Sequence, residues 1–370
     1  MKIIPFGGVV ASALLISLPS PVLSEEANTL DIGRFAIAGY GDVSYIDQDE
    51  LNSNVTSRFV PIFLFQLSEK IHIEAELEFS IDENGETEVE MEYADLHYFL
   101  NDNTTITAGK FLLPFGQFGP NLHPSWINKL PSGPALYGHG GNGLMTPLMP
   151  VLSDSGINVR NSFNVGSGKL FTDFYYVSGP REEEEEHGEE AEEVEEDGHG
   201  AIPEVELEFA SGDNNSDKAF GGRVAYAFLP SLEVGYSFYN GAYDHDSTLD
   251  FNATAIDFNW IGTYTTIRGE MINTSIDELH EDGDIEAFDR NGWYLQGSWQ
   301  MRQLGQQALN PVELVARYSE ITKAAEGERW TIGVNYWLES SAVLKIAYED
   351  TELEDGDNDN RLFIQLAFGF

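Results

Sequence analysis

The sequence predicts an all-β protein: a transmembrane antiparallel β-barrel of about sixteen strands, with its third external loop folded inward. Three observations lead there. Hydrophobic residues alternate with polar ones at period two in sixteen segments, the signature of strands that differ in their two faces. The connectors alternate between short turns and long loops, and the strand number is even. Beyond the first two dozen residues, no stretch of about eighteen uninterrupted apolar residues could cross a bilayer as a helix.

Before the strands comes a leader. Met1-Lys2 is a short basic start, Ile3 to Leu18 is mostly apolar, and Pro19-Ser20-Pro21 breaks the run before Glu25-Glu26. A signal peptide over 1–24, removed on export, fits that order, and leaves 25–370 as the barrel.

The sixteen segments are approximately 35–45, 57–67, 71–81, 89–100, 105–112, 155–165, 169–177, 218–228, 232–240, 249–260, 263–273, 291–301, 312–321, 328–337, 342–350 and 360–370. Their lengths match the roughly 9–11 residues that a tilted strand needs to span a membrane. In the last one Leu362, Ile364, Leu366, Phe368 and Phe370 share a face opposite Arg361, Gln365 and Ala367. Trp330, Ile332, Val334 and Tyr336 likewise oppose Thr331, Gly333 and Asn335. A soluble sandwich would want a dry core, whereas here the second face is charged in strand after strand. Lipid on one side and a water-filled lumen on the other account for both faces. Two segments break phase, 89–100 near Ala94 and 249–260 near Ala255, as bulges would make them do.

Short turns follow the even-numbered segments (68–70, 101–104, 166–168, 229–231, 261–262 and 339–341), with one longer exception at 302–311. Longer, acidic loops follow the odd-numbered ones, the largest being 113–154 and 178–217. This is the pattern of bacterial outer-membrane barrels.

Charge and composition narrow the function. Nineteen Lys plus Arg stand against 63 Asp plus Glu, a formal net charge of -44, so a nucleic-acid partner is excluded for want of a basic footprint. There is no cysteine, hence no disulfide, thiolate metal site or Cys nucleophile. No Gly-x-Ser-x-Gly or His-Glu-x-x-His stretch occurs, so no catalytic residue is assigned and an enzyme is not expected.

Alternation assigns a lumen face of two unlike walls. Glu74, Glu76 and Glu78, with Glu90, Glu92 and His72, make one acidic. Arg160, Arg223, Arg268, Arg317 and Lys345, among Asp173, Glu233, Asp257, Glu270, Glu313 and Glu349, bring positive charge to the other, and Lys110 is taken as a further pore-lining residue. Such walls would set a transverse field across a narrow pore, or pair with neighbouring strands and stiffen the barrel. Both readings stay open. The Gly- and Pro-rich segment 113–154 should fold as a compact, non-helical plug, with Phe115, Phe118, Trp126, Lys129 and Tyr137 against the inner wall.

The run 182–208 holds fourteen Glu and one Asp, about a third of the acidic surplus. It reads either as a solvated external loop or as an antenna that gathers divalent cations such as zinc weakly, through His187 and His199. His123, His139, His245 and His280 fall in other external loops by the same parity. No cofactor is expected beyond such weak metal binding.

A family resemblance adds to this. Phe370 closes an alternating run, as the last strand of bacterial outer-membrane proteins does, where that ending looks like the signal read by the barrel assembly machinery. Tyr93-Ala-Asp-Leu-His-Tyr98, Ile106-Thr-Ala-Gly-Lys-Phe111 and Leu113-Pro-Phe-Gly116 resemble the phosphate-selective porin O and P family. The resemblance implies a sixteen-stranded, homotrimeric porin in the outer-membrane lipid, passing small hydrophilic or anionic solutes. The scarcity of Lys and Arg departs from the family pattern, with Lys110 alone in the matching stretch.

Overall fold

The computed structural model describes residues 34–48, 53–82, 85–138, 145–149, 152–182, 205–206, 215–280, 283–323, 325–354, 356 and 358–370. The expected leader and most of the acidic run, with His139, His187 and His199, lie outside them.

Sixteen strands close into one antiparallel barrel, each paired with its neighbours in sequence and the last with the first. They are β1 (Phe35–Gln48), β2 (Asn54–Ser68), β3 (Ile71–Ile81), β4 (Thr87–Asn101), β5 (Thr104–Leu112), β6 (Ser153–Val165) and β7 (Gly168–Val177), then, past a two-residue pair, β10 (Ala219–Leu229), β11 (Leu232–Ala242), β12 (Asp250–Ile261), β13 (Thr265–Leu279), β14 (Ile285–Gln300), β15 (Val312–Thr322), β16 (Gly327–Glu339), β17 (Ala342–Leu353) and β18 (Asn358–Gly369). The extra pair, β8 (Arg181–Glu182) and β9 (Val205–Glu206), brackets the acidic run within 178–217 and was not expected from the pattern. Closure leaves no strand edge, so the ladders satisfy the backbone of the strands without water.

Alternation sorts the faces as expected. Outward residues such as Ile332, Leu366 and Tyr348 are exposed and apolar, while their inward neighbours Thr331, Gln365 and Glu349 are buried. An apolar outside and a polar inside is the arrangement of a barrel immersed in lipid.

The two expected breaks in phase have different causes. In β4 the register against β3 slips between Glu76 and Leu77, leaving Glu92 as the extra residue of a bulge. β12 has no slip: it pairs continuously with β11 and β13. Its apparent change of phase arises because Phe251, an apolar residue, points inward into a buried cluster. The long exception at the short-turn end folds as two 3-10 turns, Met301–Leu304 and Gln307–Leu309.

Candidate functional site: the inward loop and the lumen wall

The segment between β5 and β6 makes its contacts with inward-facing wall residues. It is held by two apolar clusters and a set of charged hydrogen bonds. Leu113, Phe115, Phe118, Leu136, Tyr137, Met145 and Leu148 pack with Tyr175, Tyr239, Phe251, Ile272, Tyr294 and Ile321 of the wall. Leu130 packs separately with Val315, Ala347 and Phe363. Burying a Phe or Leu side chain stabilises by ~2–3 kcal/mol, so these contacts fix where the loop lies.

The polar contacts follow from what an irregular backbone has to offer. A loop rich in Gly and Pro leaves carbonyls and amides unpaired within itself, and the wall charges satisfy them. Lys345 Nζ donates to the carbonyls of Ser125 and Asn128, the latter at 2.7 Å, and to Gln365. Arg317 donates to the Ser132 carbonyl at 3.0 Å and to its hydroxyl at 2.8 Å. Ser132 passes its own hydrogen to Glu349 at 2.7 Å, where Arg361 and Arg329 also converge. Arg290 caps the carbonyls of Thr146 and Pro147. Lys129 pairs with Glu313 at 2.5 Å, one residue into β15, so the loop reaches the short-turn end of the barrel on that side.

Contrary to the expected non-helical plug, Phe118–Leu122 forms one α-helical turn, α1. Glu270 cradles its start, accepting from the amides of Gln117 (2.9 Å) and Phe118 (2.7 Å) and from the hydroxyls of Tyr137 (2.5 Å) and Tyr294 (3.2 Å). The unpaired amides at a helix start favour a carboxylate there. Burial raises the Tyr137 hydroxyl well above its ordinary pKa, and Glu270 adds to this, so the phenol keeps the proton it donates. Gly116, at φ 62°, makes the turn into the cradle; a Cβ there would sit 2.5 Å from the Tyr137 hydroxyl and 2.6 Å from Glu270.

The expected site residues therefore divide. Phe115, Phe118, Lys129 and Tyr137 touch the wall as described, and Trp126 lies beside Gly369. Arg268, Arg317 and Lys345 face inward but are 4%, 1% and 1% exposed. Arg223 is bound by Asp257 and Glu233, and Arg160 by Asp173 at 2.7 Å. Glu74 and Glu233 keep side chains 29% exposed, and Glu90 is exposed. Glu78 pairs at 3.7 Å with Arg58, which also binds Asp42.

Two expectations are corrected. Lys110 pairs in register with Ala94 and Ser155, on the face of the exposed Ile157, and its ammonium bonds the Met91 carbonyl; it stands on the outer surface. His123 is not on the external rim. It is buried, its Nδ1 donating to the Gly119 carbonyl at 2.5 Å and its Nε2 lying 3.1 Å from Glu92. Burial disfavours the charged imidazole, yet Glu92 beside it outweighs this and holds the pKa up to about 9. Glu76, Glu92 and His123 offer one ligand atom each, all within 4.8 Å of one another.

Alternation misses Arg58 because Phe59 to Phe65 around it are apolar on both faces, so parity has no contrast to read. Arg290 sits beyond the boundary drawn for its segment, since β14 begins six residues earlier than expected, at Ile285 rather than 291. The pairing of His123 with Glu92 links a loop to a bulge and has no local signal.

No protein-family model matches the chain, and no curated protein does. Solved structures do. The anion-selective porin of Comamonas acidovorans aligns at 12% identity and a TM-score of 0.58, over 91% of this chain and 99% of that one. OmpF of Salmonella typhi, solved with daunomycin, aligns at 11% and 0.58, over 91% and 97%. The outer membrane channel DcaP of Acinetobacter baumannii aligns at 12% and 0.55, over 91% and 97%. The fold is that of the bacterial outer-membrane porins.

Proposed function

We propose that this barrel is an outer-membrane porin, a water-filled channel for passive diffusion of small hydrophilic solutes, and that it prefers cations. The observation behind the preference is the set of wall charges that stays accessible, in which carboxylates outnumber cations. The inward-folded loop, which narrows the channel in this reading, covers Arg317 and Lys345, and Arg268 is buried in the wall, while Glu74, Glu90 and Glu233 stay open to the lumen. Open carboxylates attract cations and repel anions where the passage is narrow. The expected field between opposite walls keeps Arg160, paired with Asp173, as its exposed positive member.

Phosphate selectivity, implied by the family resemblance, gains no support from Lys110 on the outer face. A lipid-immersed trimer fits the apolar exterior, and a trimer form is known for the structurally similar OmpT of Vibrio cholerae (11% identity, TM-score 0.54).

The test is reconstitution in a planar bilayer under a KCl gradient. Stable conductance steps with a reversal potential of the cation-selective sign are expected. An anion-selective sign overturns the preference, and no conductance steps overturn the porin.

A further inference from the structure

We propose that Glu76, Glu92 and His123 form a binding site for one divalent cation of the zinc class, fastening the inward-folded loop to the wall of β3 and β4. The inference goes beyond the channel reading and does not rest on conduction.

The three side chains come from separate places. Glu76 is in the middle of β3, Glu92 is the extra residue of the β4 bulge, and His123 ends the α1 turn of the loop. Bulges re-aim side chains and recur at functional sites. Their ligand atoms nonetheless lie within 4.8 Å of one another, a span that one ion at ordinary zinc–oxygen and zinc–nitrogen lengths of roughly 2.0–2.2 Å can bridge.

The groups that hold the ligand side chains point the same way. A carbonyl can only accept, so the 2.5 Å contact to Gly119 fixes the proton on Nδ1 and aims Nε2 at the carboxylates. Metal-binding histidines are oriented by such a bond on the other ring nitrogen. Glu76, 3% exposed, accepts a hydrogen bond at 2.9 Å from Tyr40, itself 1% exposed, which orients the carboxylate as a ligand's outer partner would. Two carboxylates and one imidazole make a nitrogen and oxygen donor set suited to zinc, with a fourth position left for water. A dication also offsets two carboxylates held close in a largely buried space.

Site and antenna are separable by residue. The purified full-length chain, stripped with EDTA, is titrated with zinc chloride against a chromophoric chelator near neutral pH. One site per chain, tighter than the remaining sites, is expected. His123→Gln and Glu92→Gln should each weaken it about 100-fold or more, and Tyr40→Phe about tenfold. The double variant His187→Gln, His199→Gln should retain it. Zinc-edge X-ray absorption should show one nitrogen and carboxylate oxygens in the first shell. Heat-modifiable gel mobility verifies that each variant is a folded barrel. Retention of the tight site by folded His123→Gln or Glu92→Gln, or only weak graded binding by the unaltered chain, overturns the proposal. Tight zinc binding by a chain that shows no conductance would sink the porin and leave the site standing.

Discussion

Glu270 of the wall accepts the backbone amide of Phe118 at 2.7 Å, across 152 residues of sequence. The same carboxylate takes the Gln117 amide and two tyrosine hydroxyls, so one side chain positions the start of α1. Glu270→Ala leaves four donors without their acceptor, at about 1–3 kcal/mol for each that water does not reach. The barrel ladder does not involve that side chain and should persist, while the loop loosens. Single-channel recordings should show larger and noisier conductance steps than the unaltered chain. Unchanged steps would mean that the apolar cluster alone holds the loop.

The covered cations and the open carboxylates predict opposite responses to neutralisation. Arg160→Gln should shift the reversal potential further toward cations, since that side chain is 48% exposed. Lys345→Met, at a residue 1% exposed, should leave the reversal potential nearly unchanged. The combined Glu74→Gln, Glu90→Gln, Glu233→Gln variant should lose most of the cation preference. Equal shifts from Lys345→Met and Arg160→Gln would mean that the loop does not screen the buried wall from the permeating ions.

How far the molecule is legible in its sequence depends on the range of the interaction. The strands are legible because lipid and water impose period two on every one of them, as Trp330 to Tyr336 illustrates. The inward faces of Arg317, Lys345 and Glu349 follow from the same parity. What covers them does not: Ser132 meets Glu349, and Asn128 meets Lys345, only because a loop 217 residues earlier in the chain is threaded beside them. Where the lumen wall is apolar, as at Phe251, parity reads a break that is not there, because the partner is the loop and not water. Lys110 shows the converse, a motif residue whose chemistry suggested the pore and whose register sets it outside.

Asp244 ties the turn between β11 and β12, accepting from the amides of Thr248 (2.7 Å) and Leu249 (2.8 Å) and the Thr248 hydroxyl (2.9 Å). Partial burial raises its pKa, but these hydrogen bonds outweigh it and hold the carboxyl below the ordinary 3.8. A depressed folded value means that the stabilisation is present above 3.8 and disappears as pH falls through the lower folded pKa. Amide hydrogen exchange at Thr248 and Leu249 should show protection at pH 6 that declines as the pH is taken below 3.8. Asp244→Asn should lower it by about 1–2 kcal/mol at pH 6 and remove its pH dependence.

Phe370 closes the cylinder. Its backbone exchanges two hydrogen bonds with Gly39 at 2.9 and 3.1 Å, while its ring stacks on Phe59 at 5.4 Å and stays 51% exposed on the outer face. Phe370→Ala keeps both backbone bonds and removes the ring. Losing one stacked pair costs about 0.5–1.5 kcal/mol, small beside a ladder of sixteen strands. Refolding into detergent, read by heat-modifiable gel mobility, should therefore be nearly normal. If the exposed ring is the signal for the assembly machinery, the amount of folded barrel recovered from the outer membrane of expressing cells should fall several-fold. A matching fall in both assays would instead make the ring a structural part of the seam, with the β1–β18 closure limiting folding wherever it occurs.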